Sequence, residues 1–181
     1  GILLRMAFSF SSLFSKGSQS VLGIDIGTSS IKVVQLKREH GKVLLETYGA
    51  ISLGPYAGVE IGRATSLPAE KIAEALKDVI REANVTTNDA SVSIPYSSSL
   101  ISLIKLPKTV ERQLAQVVPI EARKYIPVPI SEVLLDWFVV SGGGRTPGDK
   151  LEVLLVAIHN DTITKFRSIA ADATLNVSFF E

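Results

Sequence analysis

Two apolar arms, at 21–26 and 31–36, face each other across the small-residue run Gly27-Thr28-Ser29-Ser30, and this stretch limits what the chain can become more than any other. The second arm, Ile31-Lys32-Val33-Val34-Gln35-Leu36, is rich in β-branched residues with polar alternation, so the element reads as a strand–turn–strand hairpin. A P-loop needs Lys directly after the second glycine of G-x-x-x-x-G, and a dinucleotide fingerprint needs three glycines opening a helix; neither is present. The turn is chemically suited to phosphate. Gly27 can take a positive φ and let main-chain N–H groups approach a ligand, and Thr28, Ser29 and Ser30 add hydroxyls. Asp25 ends the first arm as an oxygen ligand of the kind Mg²⁺ accepts, and Lys32 brings a positive charge from the start of the second. An ordinary hairpin turn uses the same small residues, so the pattern alone serves both readings.

Composition removes several function classes. The 181 residues are 46% hydrophobic, enough for one or two soluble domains with real cores. A formal net charge of +1, spread along the chain, offers neither a nucleic-acid face nor a polybasic membrane patch. With no cysteine there is no disulfide framework, thiolate metal site or cysteine nucleophile, which fits a reducing compartment. His40 and His159 stand far apart without a second ligand at metal spacing, so a zinc site is not expected. Residue 1 is Gly, and the natural start is expected at Met6. The serine-interrupted segment 6–20 matches a signal peptide poorly and is expected to be a mobile arm or short amphipathic segment. No apolar run is long enough to span a bilayer as a helix.

Further along, a third strand is expected at 42–48, followed by a loop-rich stretch to 67 and a helix with Pro68 in its first turn. Ile72, Leu76, Val79 and Ala83 form that helix's apolar stripe. Strands are expected at 90–95 and 100–106, then a helical segment at 110–125 capped by Thr109. Pro119 should kink that segment or split it into two abutting helices. Strands at 132–140 and 151–158 flank the turn-rich 141–149 as a hairpin with a long flexible tip. Asn160 is expected to cap a last helix to 173, with Ile163, Phe166, Ile169 and Ala170 inward. A final strand at 176–181 reads as a truncated end.

The run Ile24-Asp25-Ile26-Gly27-Thr28-Ser29-Ser30-Ile31-Lys32 resembles the first phosphate motif of the actin-like ATPases, which include sugar kinases, heat-shock ATPases and the division protein FtsA. A second segment, Glu121-Ala122-Arg123-Lys124-Tyr125-Ile126-Pro127-Val128-Pro129-Ile130-Ser131-Glu132-Val133 followed by Leu135-Asp136-Trp137, resembles the inserted subdomain of the PilM family, cytoplasmic actin-like proteins of type IV pilus assembly. Ser93-Ile94-Pro95, Lys105-Leu106-Pro107 and Leu154-Leu155-Val156-Ala157 fall in the family's order, so the resemblance runs from about Val21 to the end.

That resemblance implies an α/β fold with mixed sheets, the actin-like, ribonuclease H-like first lobe carrying a small inserted α+β subdomain. It divides the chain into an arm at 1–20, a core part at 21–87, the insert at 88–158 and a return to the core at 159–181. It implies ATP and Mg²⁺ as cofactors, with Asp25 acting through the metal or its water, Gly27, Thr28, Ser29 and Ser30 holding phosphate, and Lys32 reaching it. It also implies a partner, the short cytoplasmic tail of the membrane protein PilN, at the inner face of the cell membrane, within an inner-membrane assembly complex and with self-association as an option. Tyr125, Trp137 and Phe138 are candidates to line a partner groove, although Trp137 and Phe138 point to opposite strand faces and at least one should be core. An FtsA-like division protein and a small-molecule kinase are the alternatives; no segment advertises the general base a kinase would need. The family's second lobe, with the other phosphate hairpin and the adenosine glycines, has no counterpart here, so this chain alone is expected to bind ATP weakly, and turnover, if any, belongs to the longer parent. The loop at 57–66 is less acidic than the family pattern, which touches no site residue.

Overall fold

Strand alternation and one strong helical stripe account for most of the architecture. The structure, a computed structural model, describes residues 20–142 and 150–180; the N-terminal arm and most of the expected flexible tip lie outside them. The described chain forms two compact units, Tyr96–Ile163 and, flanking it in sequence, 20–95 with 164–180.

The flanking unit is built on a five-stranded sheet in the order β3-β2-β1-β4-β8. β1 (Ser20–Ile26), β2 (Ser30–Glu39) and β3 (Lys42–Ser52) form an antiparallel meander. β4 (Asp89–Ser93) and β8 (Asn176–Phe180) extend it in parallel with β1. The β2–β3 turn places His40 and Gly41 at φ 49° and 76°, which suits a two-residue hairpin connection that follows strand twist. Alternation decides the faces: Leu22, Ile24 and Ile26 of β1, Ile31 and Val33 of β2, and Ala90 and Val92 of β4 are buried in one core. Over that face lie α1 (Ala69–Glu82), through Ile72, Leu76 and Val79, and α3 (Asn160–Asp172), through Phe166, Ile169 and Ala170. This meander followed by parallel strands is the actin-like, ribonuclease H-like lobe.

The second unit is a three-stranded antiparallel sheet, β5-β7-β6, made of β5 (Ser99–Pro107), β6 (Val133–Gly142) and β7 (Lys150–His159). α2 (Leu114–Ala122) covers its inner face. Leu114, Val118 and Ala122 recur every four residues and pack with Ile104, Leu151, Val153 and Leu155. This is the small α+β insert.

Several local expectations shift. β3 runs on to Ser52, because pairing with β2 continues to Ser30 through residues that read as loop. Pro68 is the N-cap of α1, extended at ψ 159°, rather than a residue of its first turn. Thr109 caps nothing: it lies inside a 3-10 turn, Lys108–Gln113, that abuts α2 and follows Pro107. The segment is split as expected, but before Leu114 rather than at Pro119, which sits inside α2. Asn160 is the first residue of α3, and its Nδ2 donates to the Ser131 carbonyl at 2.9 Å. The expected insert began at 88; the compact unit begins at Tyr96, because β4 is paired with β1 in the core sheet.

Two contacts tie α1 to the sheet and the loop before it. Gly49, opposite Val33, lies under the helix: a Cβ there would sit 3.0 Å from Ala83 Cβ and 3.3 Å from Val79 Cγ2. The Tyr56 hydroxyl donates to Asp78 Oδ2 at 2.6 Å, and Arg81 donates to Oδ1 at 2.6 Å. Burial and then the Asp78 carboxylate push the Tyr56 phenol well above its ordinary range, while the Tyr56 hydrogen bond, helped by Arg81, holds Asp78 below the usual carboxylate range.

Gly49→Val should destabilise the chain by about 2 kcal/mol in urea denaturation, because the overpacked β-branched side chain forces α1 off β3; an unchanged midpoint would contradict the close approach. Because Asp78 titrates lower in the folded state, its contribution is present above the unfolded carboxylate range and lost as pH falls through the folded value. Denaturation midpoints measured from pH 6 down to 2 should therefore drop below about pH 4, and Tyr56→Phe should make that drop shallower.

Candidate functional site

The core sheet has two faces, and the one turned away from α1 and α3 carries the candidate site. Because Ile24 and Ile26 point into the core, Asp25 between them points out. Register then sets its neighbours: Asp25 is opposite Lys32 on antiparallel β2 and opposite Ser93 on parallel β4. The side chains meet. Lys32 Nζ lies 3.5 Å from Asp25 Oδ2, and Ser93 Oγ donates to Asp25 Oδ1 at 2.9 Å. More than half of each of the Asp25 and Lys32 side chains is exposed, so this ion pair is open to water and can be exchanged for a ligand at small cost.

Gly23, Asp25, Lys32, Val34, Ser91 and Ser93 line an open depression of about 320 Å³ on this face. The Ser91 hydroxyl is buried and has no hydrogen-bond partner among the described residues. At the end of β1 the chain turns through residues 27–29. Gly27 N–H donates to Ser30 O at 3.0 Å, closing the hairpin. From outside, Leu53 N–H donates to Ser29 O at 2.9 Å, and Thr65 donates to Thr28 O through its N–H at 2.8 Å and its hydroxyl at 3.0 Å. The carbonyls of the turn are thus held back by the 53–65 segment. Among the described residues no backbone partner takes the N–H groups of Thr28 and Ser29. Two main-chain donors, the hydroxyls of Thr28, Ser29 and Ser30, one ammonium and one carboxylate therefore gather at the carboxyl end of β1.

One part of the sequence reading is corrected. Gly27 does not use a positive φ; among the described residues the glycines that do are Gly41, Gly58 and Gly62. Space is tight there instead, since a Cβ would come within 3.2 Å of the Ser30 carbonyl that the Gly27 N–H bonds, and Ser30 would have to give by a few tenths of an ångström. The Gly27 N–H closes the turn and is not available to a ligand.

The chemistry available is that of an anion carrying a hard cation. Asp25 supplies one carboxylate, and no group of three or more His, Cys, Asp or Glu residues that could hold a metal occurs among the described residues. That donor set suits Mg²⁺, which keeps several waters and completes its shell from phosphate oxygens. All six residues singled out in the sequence, Asp25, Gly27, Thr28, Ser29, Ser30 and Lys32, lie on this one turn and its two strand ends. Ser93 was missed as a site residue. Inward Ala90 and Val92 put Ser91 and Ser93 on the outer face, but only the β2-β1-β4 order brings Ser93 to Asp25, and that pairing spans 68 residues. The weighed aromatics separate: Tyr125 and Phe138 are exposed, whereas Trp137 packs against the insert's core.

Residues 23–181 match the family described as type IV pilus assembly protein PilM. Among solved structures, one described as a PilM-PilN type IV pilus biogenesis complex aligns with a TM-score of 0.70 and 22% identity, over 89% of this chain and 46% of that one. The cytoplasmic domain of EpsL, an inner membrane component of the type II secretion system of Vibrio cholerae, aligns with a TM-score of 0.52 and 14% identity, over 89% of this chain and 56% of that one. The chain thus spans about half the length of these structures, and at such identities they show a common fold. With the family matched across almost all of the described residues, the chain belongs to the type IV pilus assembly protein PilM family.

Proposed function

We propose that the chain forms one phosphate-holding half of a Mg-ATP site in a scaffold of type IV pilus assembly, whose partner is the short cytoplasmic tail of a membrane protein of the PilN kind. The observation that carries the nucleotide reading is the Asp25 carboxylate, fixed at the end of β1 between Lys32 on one strand and Ser93 on another, beside a turn whose Thr28 and Ser29 N–H groups have no backbone partner among the described residues. Thr28 and Ser29 N–H groups and the hydroxyls of residues 28–30 would hold phosphate oxygens. Lys32 would leave its exposed pair with Asp25 to neutralise phosphate charge, and Asp25 would hold Mg²⁺ directly or through a water, kept in orientation by the Ser93 hydroxyl. The bound metal supplies charge neutralisation; no residue of this chain is assigned to move a proton. Gly27 keeps the turn tight enough for this geometry.

The partner reading rests on family membership and on the likeness to a structure described as a PilM-PilN complex. It places the protein on the cytoplasmic side of the inner membrane, held there by that tail and its assembly complex. No helix among the described residues is long and apolar enough to cross a membrane.

In the full-length parent, Asp25→Ala and Lys32→Ala should each weaken Mg-ATP binding about tenfold or more, equivalent to roughly 1.4 kcal/mol, in calorimetric titration. Ser93→Ala should weaken it by a smaller factor, since it orients Asp25 without supplying charge. Native-like melting of the variants with unchanged affinity in both Asp25→Ala and Lys32→Ala would remove the phosphate assignment. Retention of a PilN-type tail peptide is read separately in a pull-down, and its loss from the wild-type parent would remove the partner assignment alone.

A further inference from the structure

The insert's sheet is apolar on both faces, and among the described residues only one is covered within its unit. α2 packs on the inner face, where Ile104, Val153 and Leu155 are buried. The outer face follows from register: Ile101 is opposite Val156, which is opposite Asp136, and in the next row Leu103, Leu154 and Phe138 stand side by side. Leu134 continues the patch on β6. Ile101, Leu103, Leu134 and Phe138 are 38–52% exposed, high for apolar residues in the middle of strands. One end of the face is closed by a polar pair, Lys105 Nζ and Glu152 Oε1 at 3.4 Å.

Asp136 sits in the middle of this surface. Its Oδ1 accepts from Trp137 N–H at 2.8 Å, and it forms no ion pair among the described residues. Lone negative charge framed by Val156, Leu134 and Phe138 selects what can lie on it. A second copy stacked by two-fold symmetry would bring Asp136 towards its own mate, two like charges closing on an apolar contact. Size points the same way. Three strands about 4.8 Å apart, over five residues at about 3.3 Å each, give a patch on the order of 240 Å², well below the ~800 Å² each partner buries in a standard interface. It is the footprint of one helix, about 10 Å wide, and α2 already covers the opposite face of the same strands as a single helix. Strand addition would use the edges β5 and β6, not the face.

We propose that the outer face of β5-β7-β6 docks one amphipathic helix of a partner protein, its apolar stripe on Leu103, Leu134, Leu154 and Phe138 and a single Lys or Arg in that stripe paired with Asp136. This goes beyond the nucleotide and tail reading and uses none of the residues assigned to the nucleotide. The cation confers choice of partner and register, while the apolar contact confers most of the affinity.

Two fluorescein-labelled Leu/Ala amphipathic helices, identical except for a central Lys or Glu in the apolar stripe, test it by anisotropy against the 181-residue chain. The Lys helix should bind about tenfold tighter than the Glu helix. Asp136→Asn keeps an oxygen acceptor for Trp137 N–H and removes the charge, and should bring the two affinities within about twofold; Asp136→Lys should invert the preference. Leu103→Ser with Leu134→Ser should weaken both helices, with folding checked by circular dichroism. Equal binding of the two helices by the wild-type chain, or a Lys preference that survives in Asp136→Asn, overturns the proposal. So does sedimentation showing a wild-type dimer that Leu134→Ser dissolves, because the face would then belong to a second copy.

Discussion

The parity of β1 is the constraint on which the rest of this chain depends. It is the middle strand of the core sheet, antiparallel to β2 on one side and parallel to β4 on the other, and its alternation admits one register. With Leu22, Ile24 and Ile26 inward, Asp25 must face out, next to whatever its neighbours present at the same level. A slip of one residue would bury the carboxylate and expose three large apolar side chains, so the energy that fixes the core also fixes the site. Lys32 and Ser93 reach Asp25 for the same reason: their own neighbours Ile31, Val33 and Val92 are committed to the core. The site inherits its order from the packing behind it.

The sequence disclosed those features whose cause is local. The hairpin at 21–36, the stripe of α1 and the buried face of α3 are repeated signals over many residues, and each forms as its periodicity requires. Features that depend on one or two residues fared worse. Thr109 has the chemistry of a cap, but Pro107 and a 3-10 turn take the chain past it before α2 begins. β3 continues through Gly49, Ala50 and Ile51 because β2 supplies partners there and because α1 needs a residue without a side chain at Gly49. Gly27 reads as a residue able to take a positive φ, and what the structure shows there is a close approach to Ser30 O rather than a left-handed backbone. Ser93 could not be read at all without the strand order, since its distance from Asp25 along the chain carries no local trace.

The two sheets manage their polar groups differently. The core sheet buries Gln35 to 1% exposure yet satisfies it completely, with Nε2 donating to Glu46 and Thr86 and Oε1 accepting from Thr86 N–H, so β2, β3 and the loop after α1 are cross-linked by one amide. Those hydrogen bonds, with Ser20, also hold the Glu46 carboxyl below its ordinary range. The insert's buried cluster is entirely aliphatic, and its isolated charge, Asp136, lies outside on the uncovered layer. Rigid polar locking thus belongs to the sheet that positions the carboxylate, and interchangeable apolar packing to the sheet that presents a surface.

The register of β5 with β7 pairs Ser99 with Ile158, roughly 5 Å apart, so the insert's own sheet brings its chain together a few residues inside its ends at Tyr96 and Ile163. The entropy of closing the sixty residues from Ser99 to Ile158 is settled inside the insert's own sheet. Such internal closure leaves the inserted unit open to reworking by selection, while the register of the strands that hold Asp25 is kept by the packing of their own sheet.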